Sequence, residues 1–230
     1  MNAEPHEHEL RVDLAAAYRL FDFLGWVEGI DDAISVRLPR SERLVLTKAF
    51  GAHASEVAPG NAIAVDLDEI DPMQRAVYAA APQARCIMHV HTTAALAVAS
   101  SQSGLTPTSN YSASVMRAIA YRVEDMAEKR ILVIPGDGLL VHGPTVPDAF
   151  IVLYRVLGAC AFQVATNAID DGLALSPELL ARTVDVTLNP AQTHVRAEGR
   201  RVPALARRLF DTMARVADGD GSAAPRNGTR

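Results

Sequence analysis

Two histidines separated by one residue are the best candidates for chemistry in this chain. His89 and His91 lie in the run Arg85–Thr93, whose other residues are mostly short, apolar and typical of a buried β-strand. Side chains at i and i+2 of a strand share a face, so Ile87, His89 and His91 are predicted to point the same way. The opposite face takes Cys86, Met88 and Val90. Two imidazoles placed like this can bind one metal ion or share a proton transfer, although so short a pattern also occurs by chance in core or surface histidines.

The elements that must position these histidines follow from the periodicity of the chain. Helices are predicted over residues 9–24, 71–80, 92–99, 147–169 and 202–216. Besides the histidine strand, strands are predicted near 32–37, 43–48, 62–66, 130–134 and 138–142. This mixture predicts an α/β protein, a single-domain α/β/α layered fold with a mainly antiparallel central sheet. The predicted domain spans residues 10–217, between a disordered N-terminus at 1–9 and a disordered tail at 218–230.

Composition limits the class of protein. The chain has 230 residues, of which 49% are hydrophobic, and a formal net charge of −5, so we expect an ordinary buried core and no nucleic-acid partner. We expect no membrane association and a cytoplasmic location, because no apolar run has bilayer-spanning length and the polar start lacks a signal-peptide pattern. Cys86 and Cys160 lie in apolar surroundings and are predicted to be reduced core thiols. A second His-x-His pair, His6 and His8, lies in the acidic terminus and is interpreted as incidental.

The order of motifs around the histidines resembles the class II aldolase/adducin family. Its members carry a Y-x10-H-x-H segment, and Tyr78 precedes His89 by that spacing. A later family segment, V-L-x-x-N-H-G-x4-G-x-T-x-x-E-A-F, is matched in register by Gly138, Gly143, Thr145, Ala149 and Phe150. The opening also fits, at Leu14–Phe21, Gly25-Trp26 and Ile34–Arg37. The resemblance covers roughly residues 10–215 and implies the α/β/α fold.

The resemblance also implies a divalent metal ion (Zn, Mn or Fe) as cofactor, held in the family by three histidines. Two of these carry over as His89 and His91, whereas the family's Asn-His-Gly is replaced by Gly136–Gly138. Asp137 is therefore the predicted third ligand, since two histidines and one carboxylate bind Fe(II), Mn(II) or Zn(II). Gly-Asp-Gly is also a common turn sequence, and His142 is either the alternative third ligand or a packed histidine.

The positions at which the family's sugar-phosphate aldolases hold phosphate differ in this chain. Their Gly-Asn-x-Ser turn and Ser-Ser-Glu segment correspond here to Asp32–Ser35 and Asp68–Ile70. Such turns bind anions through backbone N–H groups and hydroxyls, and the extra carboxylates here would repel a phosphate dianion. A substrate without phosphate is therefore predicted. The family's general base falls on Ile70, between Glu69 and Asp71, and a shift of one residue would give that role to Glu69.

Three further residues are candidates for contact with the substrate. Lys48 lies in the turn 47–51, which corresponds to the family's N-P-[FYST]-G, and is either a ligand for a substrate carboxylate or a solvated loop residue. His53, just past this turn, is a candidate proton donor or a surface residue. Tyr111 follows Pro107 by four residues, where the fuculose-phosphate aldolase branch has a catalytic tyrosine. A tyrosine there can protonate a carbanion or enolate.

Together these residues predict a metal-dependent carbon–carbon lyase, either a decarboxylase or an aldolase, acting on a small carboxylated or catecholic substrate. The family's dihydroxyphthalate decarboxylase branch suits the lost phosphate site and the gained lysine. Relatives form fourfold rings, which implies a homotetramer whose active site a neighbouring subunit completes. Two alternatives stay open: a non-haem iron oxygenase on the same fold, and a non-catalytic, adducin-like scaffold.

Overall fold

Seven helices and nine strands are present in the residues that the computed structural model describes, which are 6–29, 31–39, 41–169, 174–182, 196–197, 200–201 and 205–219. The helices are α1 (Glu7–Phe23), α2 (Pro72–Ala80), α3 (Thr93–Ala99), α4 (Asn110–Val115), α5 (Val146–Asn167), α6 (Pro177–Arg182) and α7 (Leu205–Ala217). The strands are β1 (Ala33–Arg37), β2 (Leu44–Thr47), β3 (Ile63–Asp66), β4 (Cys86–Val90), β5 (Ile119–Ala120), β6 (Ile131–Ile134), β7 (Gly138–Gly143), β8 (Arg196–Ala197) and β9 (Arg200–Arg201). Short 3-10 turns cover Ala54–Glu56, Leu67–Glu69, Met116–Ala118 and Val123–Ala127.

A seven-stranded sheet in the order β3-β2-β1-β4-β7-β6-β5 forms the centre of the domain. Its neighbouring strands are antiparallel except for β5 and β6, which are parallel. Helices α1, α3, α5 and α7 cover one face, and α2 with the 3-10 turn at Val123–Ala127 covers the other. The α/β/α layered fold with a mainly antiparallel sheet, predicted from the sequence, is confirmed.

The histidine strand β4 lies in the middle of this sheet and is buried along its whole length. Cys86, Met88 and Val90 belong to the cluster under α1 and α5, whereas Ile87 belongs to the cluster under α2. The alternation predicted from the sequence is therefore confirmed, and it places His89 on the α2 face of the sheet. Cys86 is a free, buried thiol, as is Cys160 on α5.

Capping residues fix the two helices that flank the histidine strand. Asp71 Oδ1 accepts hydrogen bonds from the backbone N–H groups of Met73 and Gln74, so α2 starts at the proline that follows. The Thr92 hydroxyl accepts from the Ala95 N–H and starts α3. Both helix starts agree with the sequence prediction to within a residue.

Helix α1 begins earlier than the sequence predicts. It starts at Glu7, so residues 7 and 8, which the sequence places in a disordered N-terminus, are helical. The Glu9 carboxylate accepts a hydrogen bond from the backbone N–H of His6, and Arg11 forms an ion pair with Glu7 at 2.8 Å. These two contacts stabilise the first turn of the helix. Residues 1–5, the segment 202–204 of the predicted last helix and the tail from 220 onward lie outside the described residues.

Helix α5 differs from the expectation that no segment has the length and composition to span a bilayer. Among the described residues it is the one helix that is long and apolar enough by those two criteria, and half of its most apolar window is buried inside the domain. Val152, Leu153 and Val156 pack in the cluster that covers the sheet. Burial of this kind is typical of a core helix, so α5 is weak evidence for a membrane.

Candidate metal centre

Three predicted metal ligands come together where β4 ends. In the sheet register, Ala33 at the start of β1 lies opposite His89, and Leu139 near the start of β7 lies opposite Val90. We call this region, where β4 and β2 end and β1 and β7 begin, the histidine end of the sheet. Asp137 directly precedes β7 and is therefore carried to the two imidazoles. His89, His91 and Asp137 each offer a ligand atom, and these atoms lie within 4.8 Å of one another.

The hairpin between β6 and β7 owes this position to a glycine. Gly138 has φ +116°, and a Cβ there would lie 2.4 Å from the carbonyl oxygen of Val90. A side chain at this position would therefore push the hairpin away from β4. The backbone N–H of Asp137 donates to the Ile134 carbonyl oxygen at 3.0 Å, which closes the turn that carries this residue.

The spacing of the three side chains fits a divalent cation. His89 Nε2 lies 3.3 Å from Asp137 Oδ2, and His91 Nε2 lies 3.5 Å from Asp137 Oδ1. Ligand atoms at about 2.0–2.1 Å from a tetrahedral ion stand about 3.3 Å apart, which matches both distances. The Nε2 atom of His89 is buried and has no hydrogen-bond partner within the described residues, so an ion would satisfy it.

The protonation state of His89 also favours an ion. Burial, followed by the neighbouring His91 ring at 4.4 Å between centroids, lowers the pKa of His89, while Asp137 and Asp71 act in the opposite direction. A lowered pKa favours the neutral imidazole, which is the form that binds metal. The residues present therefore fit the implied metal ion.

His142, the alternative third ligand, forms hydrogen bonds outside the cluster. Its Nε2 lies 2.8 Å from the Lys129 carbonyl oxygen and 3.2 Å from that of Met126, so the ring points at a 3-10 turn away from the cluster. In the register of β4 and β7 it lies opposite Ile87, two residues before His89. Asp137, and not His142, is the residue that the fold brings to the two histidines.

Lys48 is neither a solvated loop residue nor a free cation. Its Nζ donates to Asp32 Oδ1 at 3.3 Å, and the two side chains are only 7% and 1% exposed. The ammonium also lies 5.5 Å above the centre of the Tyr18 ring. The pair is at the histidine end of the sheet, because Asp32 directly precedes β1 and Lys48 directly follows β2.

The two carboxylates that flank Ile70 differ in their surroundings. Glu69 is exposed, and its Oε2 accepts from the Asp66 N–H at 3.0 Å, as a cap of the 3-10 turn. Asp71 raises the pKa of His89, so its charge acts directly on the cluster. The sequence prediction chose Glu69 over Asp71, although the Asp-Pro helix start was a signal that the Asp71 carboxylate is held at the start of α2.

His53 and Tyr111 make no described contact with the cluster. His53 Nδ1 bonds to the Ser55 hydroxyl at 2.8 Å and caps a 3-10 turn. Tyr111 is 45% exposed, and its ring packs on Gly158, where a Cβ would stand 3.3 Å away. It lines a groove of about 640 Å³ that reaches Thr92, the residue after His91. The other aromatic residues of this groove are Trp26, Tyr154 and Phe162.

The fold and this cluster define an aldolase-type α/β/α domain with a candidate site for one divalent cation. The sequence profile of the Class II Aldolase and Adducin N-terminal domain matches residues 12–164. The chain therefore belongs to the class II aldolase/adducin family, as its motifs predicted. Members of this family are typically metal-dependent lyases, and the adducins among them are non-enzymatic.

Individual relatives agree with this assignment. A protein of Pseudomonas aeruginosa that bears an aldolase class 2 name is 28% identical over 88% of this chain and 90% of its own length. Rat alpha-adducin is 32% identical over 70% of this chain, which corresponds to 26% of the adducin. The crystal structure of an aldolase II superfamily protein from Pseudomonas syringae has a TM-score of 0.79 at 25% identity, covering 96% of both chains. L-fuculose 1-phosphate aldolase from Glaciozyma antarctica shares the fold, with a TM-score of 0.75 at 18% identity over 93% of this chain and 90% of its own.

Proposed function

We propose that this protein is a metal-dependent carbon–carbon lyase, a decarboxylase or an aldolase, acting on a small carboxylated or catecholic substrate that lacks phosphate. The observation that carries the proposal is the cluster of His89, His91 and Asp137, in which the Nε2 of His89 is buried and makes no hydrogen bond within the described residues. Family membership supports the metal-dependent lyase class. The ligand set suits Zn, Mn or Fe.

In this mechanism His89, His91 and Asp137 would hold the ion. Once bound, the ion supplies a Lewis acid that stabilises the negative charge left when a carbon–carbon bond breaks. The Asp137 charge partly offsets that of the ion, so the site keeps a net positive charge for a substrate carboxylate or for paired hydroxyls. The neutral form of His89, favoured by burial, keeps its lone pair available for the ion.

We assign the proton transfer to Asp71 in preference to Glu69 and His53. Asp71 Oδ1 serves the helix cap, which fixes the carboxylate and leaves Oδ2 for a proton near His89. Glu69 and His53 are each engaged in caps of their own. Tyr111, the remaining candidate, lines an exposed groove, and we propose that it serves the site of a neighbouring subunit.

We also propose a cytoplasmic homotetramer. Tyr111, Tyr154 and Phe162 expose 45%, 38% and 45% of their surface around the groove on α4 and α5. A clustered apolar surface of this kind is typical of subunit interfaces. Light scattering is expected to show four chains, and a fully active monomer would contradict both the assembly and the role of Tyr111.

Two alternative functions can be tested on the same purified protein. The His-His-carboxylate set also suits an Fe(II) oxygenase, and likeness to the adducins favours a scaffold without catalysis. The experiment is metal analysis of the purified protein, followed by a screen of hydroxylated carboxylates for released CO2 or aldehyde. Bound metal and turnover that both disappear in His89→Ala and His91→Ala support the lyase. Oxygen uptake with Fe(II) indicates the oxygenase, and a protein without tightly bound metal indicates the scaffold.

A further inference from the structure

Two arginines face each other at the end of the sheet opposite the histidines. In the antiparallel register of β1 and β4, Val36 lies opposite Cys86, so the next pair is Arg37 and Arg85. The backbone N–H of Arg37 donates to the carbonyl oxygen of Arg85 at 2.7 Å, as this register requires. Residues directly opposite each other share one face of the sheet, with Cβ atoms about 4.5–5.5 Å apart. We call these two residues the arginine pair.

The arginine pair lies on the α2 face of the sheet, beside a buried tyrosine. The guanidinium carbon of Arg37 stands 4.6 Å from the centre of the Tyr78 ring. Burial raises the pKa of Tyr78, while the charges of Arg37 and Arg85 act in the opposite direction, so both guanidiniums lie near the phenol. The Tyr78 hydroxyl donates to the Ser35 carbonyl oxygen at 3.0 Å, which fixes the ring as a platform for Arg37.

The two positive charges are not balanced by a carboxylate of the described residues. Neither guanidinium forms an ion pair or a hydrogen bond within that part of the chain, and the Nε of Arg37 is buried without a hydrogen-bond partner there. Asp13 and Asp148, whose charges act on Cys86, belong to α1 and α5 on the other face of the sheet. Like charges directly opposite on two strands are destabilising, and a buried donor without an acceptor adds to that cost.

We infer that the arginine pair is a binding site for a small molecule that carries an oxyanion, either a carboxylate or a sulfate-like or phosphate-like group. Two guanidiniums on one face can both donate to one anion, and such charge-assisted hydrogen bonds are about twice as strong as neutral ones. A bound anion supplies the acceptor that these donors lack and turns their mutual repulsion into attraction. Arg85 is exposed, which leaves the site open to solvent, whereas Arg37 is half-buried and held by Tyr78.

This site is separate from the candidate metal centre. Arg85 and His89 are four residues apart along β4, which corresponds to about 13 Å in an extended strand. The side chains of the metal cluster lie beyond the opposite end of that strand. The inference therefore goes beyond the proposed function and requires no metal ion.

The test measures the binding of sulfate and of succinate to the parent protein and to Arg85→Gln, by titration calorimetry and by the shift in Tm, against chloride at equal ionic strength. The parent is expected to bind at least one of the two anions. Arg85→Gln is expected to lose about tenfold or more in affinity, the size of one charge-assisted hydrogen bond. Sulfate also stabilises folded proteins in general, so the difference between the parent and the variant is the quantity that counts.

A second measurement uses the repulsion between the two arginines. Without sulfate or succinate, Arg85→Gln is expected to be at least as stable as the parent, because the substitution removes one of two like charges. Arg85→Lys keeps the charge but loses the planar fork of donors, so its affinity for the anion is expected to fall between those of the parent and Arg85→Gln.

Two controls locate the anion. Arg122→Gln removes an exposed arginine that pairs with Asp125 at 3.3 Å, and His89→Ala disables the metal cluster. Both are expected to bind the anion as the parent does. The inference is overturned if the parent binds neither anion, if Arg85→Gln binds as tightly as the parent, or if either control loses as much affinity as Arg85→Gln. Anion binding requires no turnover, so these outcomes leave the lyase proposal to its own metal and activity assays.

Discussion

Replacing Asp137 by alanine tests the metal centre most directly. The substitution removes one of three ligands and leaves the two imidazoles on β4. Loss of a residue that only orients a ligand already weakens metal binding by about 10–100-fold, so loss of a ligand itself is expected to exceed the upper end of that range. A change of about 100-fold in Kd corresponds to about 2.7 kcal/mol. Asp137→His is expected to keep a bound ion, because it restores a third neutral donor.

Proton competition cannot produce this loss, because it acts in the opposite direction. Asp137 raises the pKa of His89, so its removal lowers that pKa further and leaves more of the imidazole in the neutral form that binds metal. A weaker affinity in Asp137→Ala therefore reports the missing ligand. The assay is competition with a chromogenic chelator at several pH values, supported by metal analysis of the purified variants.

The control for this experiment is His142→Gln. The Gln Nε2 can keep a donor for the carbonyl oxygens of Met126 and Lys129, so the fold is expected to survive. Affinity for the ion is expected to equal that of the parent. If instead Asp137→Ala binds metal as tightly as the parent and His142→Gln does not, the assignment of the third ligand is wrong.

Three further predictions follow from the same geometry. Asp71→Asn keeps a helix cap but removes the proton-transfer group, so kcat is expected to fall by about 100-fold or more with Tm little changed. Glu69→Gln is expected to keep a kcat near that of the parent. If Glu69→Gln lowers kcat and Asp71→Asn does not, the proton transfer belongs to Glu69. Gly138→Ala is expected to destabilise the fold by more than about 1 kcal/mol in urea unfolding and to weaken metal binding, because its methyl group meets the Val90 carbonyl. Burial lowers the pKa of His142 below 6.5, so the unfolded chain binds more protons and the folded state loses stability as pH falls through about 6.5 and below. His142→Gln is expected to lose less stability over this pH range. An unchanged dependence of the unfolding free energy on pH would refute the contribution of His142.

Local rules predicted the parts of the fold that depend on neighbours in sequence. The alternation of Met88, His89 and Val90 follows from the period of a strand, and the starts of α2 and α3 follow from caps at Asp71 and Thr92. The prediction of Asp137 as third ligand came from register with a family motif, and the fold places it beside the histidines.

The parts that sequence did not predict depend on how separate segments pair. Lys48 and Asp32 are 16 residues apart and meet because β1 and β2 form a hairpin with one particular register. Glu69 and Asp71 have different surroundings because Glu69 ends the 3-10 turn and Asp71, two positions later, caps α2. The two hydrogen-bond partners of the His142 ring, the carbonyl oxygens of Met126 and Lys129, likewise lie on a segment that no local pattern brings to it.

The three candidate ligands are held with different rigidity. As a result, the affinity for an ion and its rate of dissociation depend on different parts of the site. His89 lies at the centre of the sheet with a side chain 6% exposed, whereas Asp137 lies on a turn with a side chain 49% exposed. Strands in a core open rarely, while an exposed turn between two glycines opens by local motion on a far shorter timescale. Exchange of a bound ion is therefore expected to proceed through the turn that carries Asp137, while the two histidines stay in place. Stiffening the Gly136–Gly138 turn would lengthen the residence time of the ion without altering the histidines that select it.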